Sequence, residues 1–296
     1  MPRRLNWTVA LLLLPAVGFF AAFALAPMIT AGVLSFYEWD GVSAAQFVGS
    51  ANWIQTLTDP VTWNSLFLTF QVMALSWLIQ TPISLLLGVF LAGYQRYRAF
   101  FAVIYFLPLL FSAVAVGLIW SSAILGREGA LDSLLDSVGL SALSRNWLGD
   151  PSLALYAVIA VIAWQFIPFH TLLYQAGTRQ IPQVLYEAAR IDGAGTLQQF
   201  FHITLPQLKY TIITSTVLIL TGSLTYFDVV YVMTGGGPGF ATRILPLHMY
   251  QTAFEEAQFG YGAALAVLLA VVGVTLSLVL LRVTGFSKMS SQAEGL

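Results

Sequence analysis

The stretch YEAARIDGAGTLQQFFHITLP, Tyr186 to Pro206, is polar and sharply punctuated, and long apolar segments flank it on both sides. Only 8% of the residues carry charge and 58% are hydrophobic. A soluble domain has roughly a quarter charged residues, so this chain cannot coat a water-facing surface and reads as a membrane protein. The quoted loop is the exception within it. Pro182 suits the first turn of a helix, where its missing N–H has no partner to lose. Good helix formers run from there to about Ile191, and Asp192–Gly193 supplies a left-handed stop. A second short helix is expected from about Thr196 to Ile203, capped by Thr196, with Leu205–Pro206 ending it or kinking it into the next apolar segment. Two short helices at an angle make a rigid knob. Ala188 and Ala189 let another surface approach closely, Glu187, Arg190 and Asp192 place charges at the rim, and Tyr186 offers an aromatic anchor. That chemistry fits docking, while spacing alone fits equally well a surface helix that merely joins two spans.

Outward from the loop, the apolar segments set the fold. The hydrocarbon core is about 30 Å thick, so a helical span needs about 20 mostly apolar residues. Six stretches qualify, about 7–36, 63–92, 100–125, 153–176, 211–233 and 259–283. They are too long and continuous for β-barrel strands. The expected fold class is an all-α membrane protein of six transmembrane helices, a single domain over 1–296, with the loop at 177–208 between the fourth and fifth spans. MPRRLNW followed by apolar residues and Ala24–Ala26 has the outline of a signal peptide. Its apolar run is longer than the usual core of about 7–15 residues, and Pro27 would follow the cleavage site, so the segment is read as a retained span.

Basic residues are retained on the cytoplasmic side. With the amino end inside, the inner segments hold Arg3, Arg4, Arg96, Arg98, Arg179, Arg190, Lys209, Arg282 and Lys288, and the outer loops hold Arg127, Arg145 and Arg243. Both termini and the quoted loop are therefore expected in the cytoplasm.

Several chemistries find no residues to carry them. The chain has no cysteine, which excludes disulfides, thiolate metal sites and thiol nucleophiles. His170, His202 and His248 are scattered without metal-ligand spacing, and there is no serine elbow. Glu255 and Glu256 are adjacent and read as a solvated surface. No phosphate-binding Gly-x4-Gly-Lys-Ser/Thr stretch occurs, and TGGGPG at Thr234–Gly239 lacks the lysine. A net charge of -1 gives no support for a nucleic-acid partner.

Polar residues inside a span locate a path, because in hydrocarbon they must face the bundle interior or a watery cavity. Thr211, Thr214, Thr221, Thr225 and Asp228, with Leu218 filling the gap, fall within about 100° of one another on an ideal helix. Trp164, Pro168, Thr171 and Gln175 share one side of the fourth span, with Gln165 at its edge. Together with Tyr226 and Phe227 these groups suit a sugar, whose polar edge takes hydrogen bonds and whose apolar face stacks on rings. Thr and Ser on membrane helices also serve packing alone, and both readings stand at this point.

The loop carries a further signal. Glu187, Ala188, Ala189, then three residues to Gly193, nine to Ile203 and one to Leu205–Pro206 resemble the signature loop of permease subunits of bacterial ABC importers. YFLPLLFSAVAVGLIW at Tyr105–Trp120, GALDSLLDSVGL at Gly129–Leu140 and the stretch Phe227–Leu269 are similar to the carbohydrate branch, related to maltose and glycerol-3-phosphate permeases. The resemblance covers most of the chain from about Trp63 onward. It departs at Asp132, where the family usually has Asn. It implies that Tyr186, Glu187, Ala188, Ala189, Arg190, Asp192, Gly193, Ile203, Leu205 and Pro206 form a coupling surface seated on a separate ATPase dimer. That dimer would hold ATP and Mg, with no cofactor and no catalytic role in this chain. It also implies a second, homologous permease, an extracytoplasmic solute-binding protein, a sugar substrate, and residence in the lipid of a bacterial cytoplasmic membrane. A glycerol-3-phosphate ligand is the alternative within the class and a polyamine a further one. An ion-driven secondary transporter is the alternative outside it, and it would normally show repeated halves, which are not evident here.

Overall fold

The computed structural model describes residues 7–93, 96–126 and 129–284. Arg3, Arg4, Arg127 and Lys288 lie outside the described residues, as do the side chains of Arg96 and Arg98. The described residues are mostly helical, with one two-stranded antiparallel ribbon among them, Tyr37–Glu38 against Gln46–Phe47. Among the described residues four helices are long and apolar enough to cross a membrane: Leu11–Leu34, Pro60–Leu91, Ala154–Arg179 and Phe259–Thr284. Two further candidates are bent pairs.

The stretch expected as one span at 100–125 is broken. Arg96–Leu110 contains Pro108, and the next helix, Ala113–Leu118, starts afresh from Ser112, whose side chain accepts the Ala115 N–H at 3.2 Å. The two parts meet at 100°. Proline removes a ladder hydrogen bond and the extended Ser112 turns the chain before recapping it. The stretch expected at 211–233 is interrupted as well. Lys209–Gly222 gives way to a 3-10 turn at Ser223–Thr225, Tyr226 leaves the helical region, and Phe227–Thr234 resumes with Asp228 in its first turn, where a carboxylate suits the helix dipole.

The chain divides into two compact units. The first comprises Met1–Trp63 and His248–Val272. Within it Asn52 donates to the carbonyls of Ser35 at 3.0 Å and Tyr37 at 2.9 Å, tying the short helix Ala51–Thr58 to the ribbon. Asp59, just before the Pro60–Leu91 helix, accepts the Val61 N–H at 2.9 Å and the Tyr261 hydroxyl at 2.8 Å, and buried His248 lies 3.6 Å from it. Burial pulls the Asp59 carboxyl up, but the Val61 and Tyr261 bonds, His248 and Thr62 outweigh it and leave the group below its ordinary range.

The second unit comprises Asn64–Leu247 and Gly273–Leu296. Its apolar core is built from Leu68 and Val72, from Leu155, Val158, Ile159 and Ile162, and from Val230 and Met233, spacings of three and four that put each set on one helix face. Beside this core the Pro60–Leu91 helix carries a buried polar row, Ser65, Thr69, Ser76, Gln80 and Ser84, that leads to Gly88. A Cβ on Gly88 would run into the Cβ of Tyr174 and the Thr171 carbonyl, so the two backbones are in close approach there. Two side chains bridge the same crossing: Ser84 donates to Ile167 O at 3.2 Å and Gln175 to Leu91 O at 2.8 Å. Lipid gives no hydrophobic drive between helices, so tight packing of small residues and such bonds hold them together.

Two outcomes follow from this packing. Gly88→Val should lower the thermal midpoint of the detergent-solubilised protein, at an overpacking cost of about 1–3 kcal/mol, whereas Gly18→Val, at a position with open space around it, should leave the midpoint unchanged. The depressed Asp59 carboxyl contributes stability that is present above its unfolded pKa, about 3.9, and is lost as pH falls through the folded value. A plot of midpoint against pH should therefore drop on the acid side, and Asp59→Asn should flatten that limb.

Candidate functional site

The loop forms two short helices, with shifted ends. Pro182 is the extended residue that precedes the helix Gln183–Ile191, not part of its first turn. Asp192 follows as the cap, and Gly193 adopts φ +79°. The Gly193 N–H reaches Arg190 O at 3.1 Å and the Ala194 N–H reaches Ala189 O at 2.8 Å. These are the two bonds of a Schellman closure, which needs the left-handed residue that glycine supplies without strain. Gly195, not Thr196, caps the second helix, because the Gln198 side chain turns back to accept the Gly195 N–H at 2.8 Å. Nor does that helix stop at Ile203. It runs from Thr196–Gln199 through a π turn at Phe200–Thr204 into Leu205–Gln207, and Leu208 breaks it, so that Thr196–Gln207 and Lys209–Thr225 meet at 67°.

Glu187 and Ala188 are exposed on the outer side of the first helix, and Pro206 is exposed on the second. Ala189, Asp192, Gly193 and Ile203 line a cleft of about 350 Å³ between the two helices. Tyr186 and Arg190 turn to the other side, where the Tyr186 hydroxyl bonds Thr204 Oγ1 at 2.8 Å and staples the helices together. Leu205 is half-buried at the start of the last helical segment. Nine of the ten loop residues singled out by sequence thus fall into an exposed outer set, a cleft set and a set on the opposite side, and Leu205 stands apart from all three.

The path residues separate. A cavity of about 420 Å³ opens beside the broken helix at Ser223–Thr225. Thr225, Tyr226 and Asp228 line it together with Leu218. Opposite them stand Phe166, Phe169 and His170 of the Ala154–Arg179 helix, and the Tyr226 ring stacks on Phe166 with centroids 5.1 Å apart. Among the described residues its lining contains one carboxylate, Asp228, and no Lys or Arg. Thr214 and Thr221 are outside that lining, and their hydroxyls donate to Tyr210 O at 2.9 Å and Val217 O at 2.7 Å. Thr211 packs where a Cβ on Gly177 would fall. Gln165 and Gln175 are buried helix ties, the former to Phe111 O at 3.4 Å. Trp164 pairs edge-on with Trp120 at 5.3 Å, and Phe227 stacks on Tyr231 at 5.3 Å, away from the cavity lining.

His170 is one of the cavity residues that spacing alone did not single out. It is buried, and its Nδ1 pairs with Ser215 Oγ at 3.0 Å, which fixes the ring against the Lys209–Gly222 helix. A signal was present in FIPFH, where Phe166, Phe169 and His170 stand three and four apart on one face. The other histidines are placed separately: His202 bonds the Gln198 carbonyl at 3.0 Å, and His248 belongs to the Asp59 cluster. Glu255 and Glu256 are both exposed. Asp132, where the resemblance departs, accepts the Trp147 indole N–H at 3.1 Å, a bond that an asparagine oxygen would accept as well.

Known proteins share both sequence and fold with this chain. It is 36% identical over 275 residues to a probable ABC transporter permease protein of Bacillus subtilis, YurN, covering 92% of this chain and 94% of that one. It is 31% identical over 279 residues to the trehalose/maltose transport system permease protein MalF of Thermococcus litoralis, covering 94% of each. A chain in the crystal structure of a bacterial ABC transporter involved in the import of the acidic polysaccharide alginate has the same fold, with a TM-score of 0.82 over 96% of this chain and 97% of that one, at 23% identity. Residues 80–284, which hold the loop, the cavity and the close helix crossing, match the family described as binding-protein-dependent transport system inner membrane component, and the chain belongs to that family of ABC importer permeases.

Proposed function

We propose that the chain is the membrane subunit of an ATP-driven importer for an uncharged sugar, a di- or oligosaccharide, and forms half of the translocation path. In this reading the helices make six spans, counting each bent pair as part of one, and both termini and the loop 177–208 face the cytoplasm. Two copies of a separate ATPase dock on the loops of this chain and of a second, homologous permease. A solute-binding protein delivers ligand to the outer face. The observation that carries the reading is the closed, stapled geometry of the loop: Gly193 terminates a helix whose outer face presents Glu187 and Ala188, and Tyr186 locks it to the second helix. That second helix leads through Leu208 into the one that reaches the cavity at Leu218. A stiff knob joined in this way transmits force, which a simple connector does not require.

The sugar assignment draws on the cavity and on the relatives. Their names include permeases for trehalose and maltose, for lactose and for arabinooligosaccharides. Phe166, Phe169 and Tyr226 supply apolar ring faces, and Thr225, His170 and Asp228 supply hydrogen-bonding groups. A phosphate ester such as glycerol-3-phosphate would want a cation in that lining, and a polyamine several carboxylates; among the described residues it has neither.

Gly193→Val forces a β-branched side chain into the left-handed region although the space around it is open. The variant should insert at wild-type abundance and lose ATP-driven uptake in membrane vesicles; uptake at the wild-type rate would refute a coupling role. Abolition of uptake by an uncoupler while ATP is maintained would instead favour an ion-driven transporter. Asp228→Ala combined with Thr225→Val should raise the half-saturating sugar concentration by about tenfold, the equivalent of one lost charged hydrogen bond, without loss of assembly; unchanged kinetics would move the path elsewhere.

A further inference from the structure

The short helix Ala51–Thr58 has its polarity reversed for a water-facing surface. Asn52 and Thr56, one turn apart on one face, are buried, and the Ser35 and Tyr37 carbonyls hold Asn52 there. Ile54 and Leu57 stand about 150° round an ideal helix from that pair, and they are 60% and 55% exposed. Half-buried Trp53 borders them and directs its indole N–H to Ser35 Oγ at 3.1 Å. Gln55 is also exposed, about 160° from Leu57, and gives the helix a separate polar side.

The apolar side continues into the next helix. Asp59 is extended and turns the chain into Pro60–Leu91, whose first turn carries Trp63, 51% exposed. The Trp63 indole N–H donates to Leu57 O at 2.9 Å, which lays the ring against the end of the short helix. Leu57 O is one of the carbonyls that a helix end leaves without a ladder partner. With donor and acceptor paired to each other, neither needs water, and both tolerate an apolar surrounding. Pro60–Leu91 is long and apolar enough to cross a membrane, and Trp63 stands at its start, the level at which indole rings collect at the edge of the hydrocarbon. Ile54, Leu57 and Trp63 thus form one apolar ledge beside the beginning of a span.

We infer that Ala51–Thr58 is an interfacial helix, lying along the membrane surface where Pro60–Leu91 begins, with Ile54, Leu57 and Trp63 among the first acyl carbons and Gln55 in water. Its partner is the uncharged acyl boundary of the bilayer, because the helix has no Lys or Arg to hold a headgroup phosphate. The leaflet is the outer one in the topology proposed above, while the lipid contact itself stands apart from the importer reading. The ledge sets a starting level for two spanning helices. A Cβ on Gly260 would strike Tyr37 O and the Asn52 side chain, and the Phe259 N–H reaches Trp39 O at 2.9 Å, so Phe259–Thr284 begins on the same elbow.

The chain has no cysteine, so Ile54→Cys, Gln55→Cys and Leu57→Cys each place a bimane fluorophore at one known position of the full chain. Each variant is reconstituted with its co-purified subunits in phosphatidylcholine vesicles, and the wild-type complex, labelled alike, supplies the background. Brominated acyl chains should quench labels at 54 and 57, seated about 5–10 Å below the headgroup boundary, and aqueous iodide should quench the label at 55. Phosphatidylglycerol added to the vesicles should leave this pattern unchanged; quenching that requires it overturns the uncharged boundary as the partner. Iodide quenching at 54 and 57 equal to that at 55 overturns the interfacial placement. Shielding of 54 and 57 from both quenchers assigns the ledge to another subunit and overturns the lipid. A phospholipid with a diazirine on its acyl chain gives a second measurement on the unsubstituted chain. Its adducts should map to 54–63, and their absence there while later turns of Pro60–Leu91 are labelled overturns the placement whether or not the cysteine variants fold. Neither measurement reads uptake, so a failed ledge leaves the importer reading standing, and failed ATP-driven uptake leaves the ledge.

Discussion

The close crossing of the Pro60–Leu91 and Ala154–Arg179 helices at Gly88 is the constraint on which the second unit depends. A helix in lipid satisfies its own backbone and gains little from apolar contact with its neighbour, so adhesion must come from short-range packing and from polar side chains that reach across. Gly88 supplies the first by removing the atom that would hold the backbones apart. Ser84 and Gln175 supply the second by donating to carbonyls on the opposite helix. The Ala154–Arg179 helix of that pair also shapes the cavity beside Ser223–Thr225, which Phe166, Phe169 and His170 enter from its middle.

The interruptions of helices are as consequential as the helices. At Ser112 and again at Ser223–Tyr226 the chain abandons the α-helical ladder within candidate spans, which is tolerated in a membrane where protein or a cavity surrounds the freed backbone. The second interruption brings Thr225, Tyr226 and Asp228 to one opening although an unbroken helix would spread them over about 160°. The first places Leu109 and Ala113 at the same opening. The cavity is a product of broken helices and not of a continuous polar stripe.

This explains how much could be read from sequence. Four of the six expected spans were legible because about twenty apolar residues in a row admit few other solutions in a charge-poor chain. The loop was legible because Pro182, Asp192–Gly193 and Leu205–Pro206 punctuate it, although its caps moved by a residue where the Gln198 side chain competed with Thr196. Within the spans the same reasoning lost phase. Extrapolating at a fixed angle per residue from Thr211 to Asp228 ignores the 3-10 turn between them, and Thr214 and Thr221 return their hydroxyls to their own helix. The row Ser65, Thr69, Ser76, Gln80 and Ser84 shows equally good periodicity and is packing, since threonine and serine hydroxyls look the same in sequence whether they face a path or a neighbour. Gln165 and Gln175 illustrate this again as interhelical ties.

The Leu208 break sets a mechanical scale. Between it and the 3-10 turn, Lys209–Gly222 is an uninterrupted rod of 14 residues, about 21 Å long at the helical rise. Pivoting that rod by about 10° at its lower end sweeps its upper end through about 4 Å, on the order of one residue of extended chain. A modest swing at the pivot is therefore magnified into a displacement comparable with the width of a hydroxyl-bearing ring edge, and Thr225 and Asp228 ride on the magnified end.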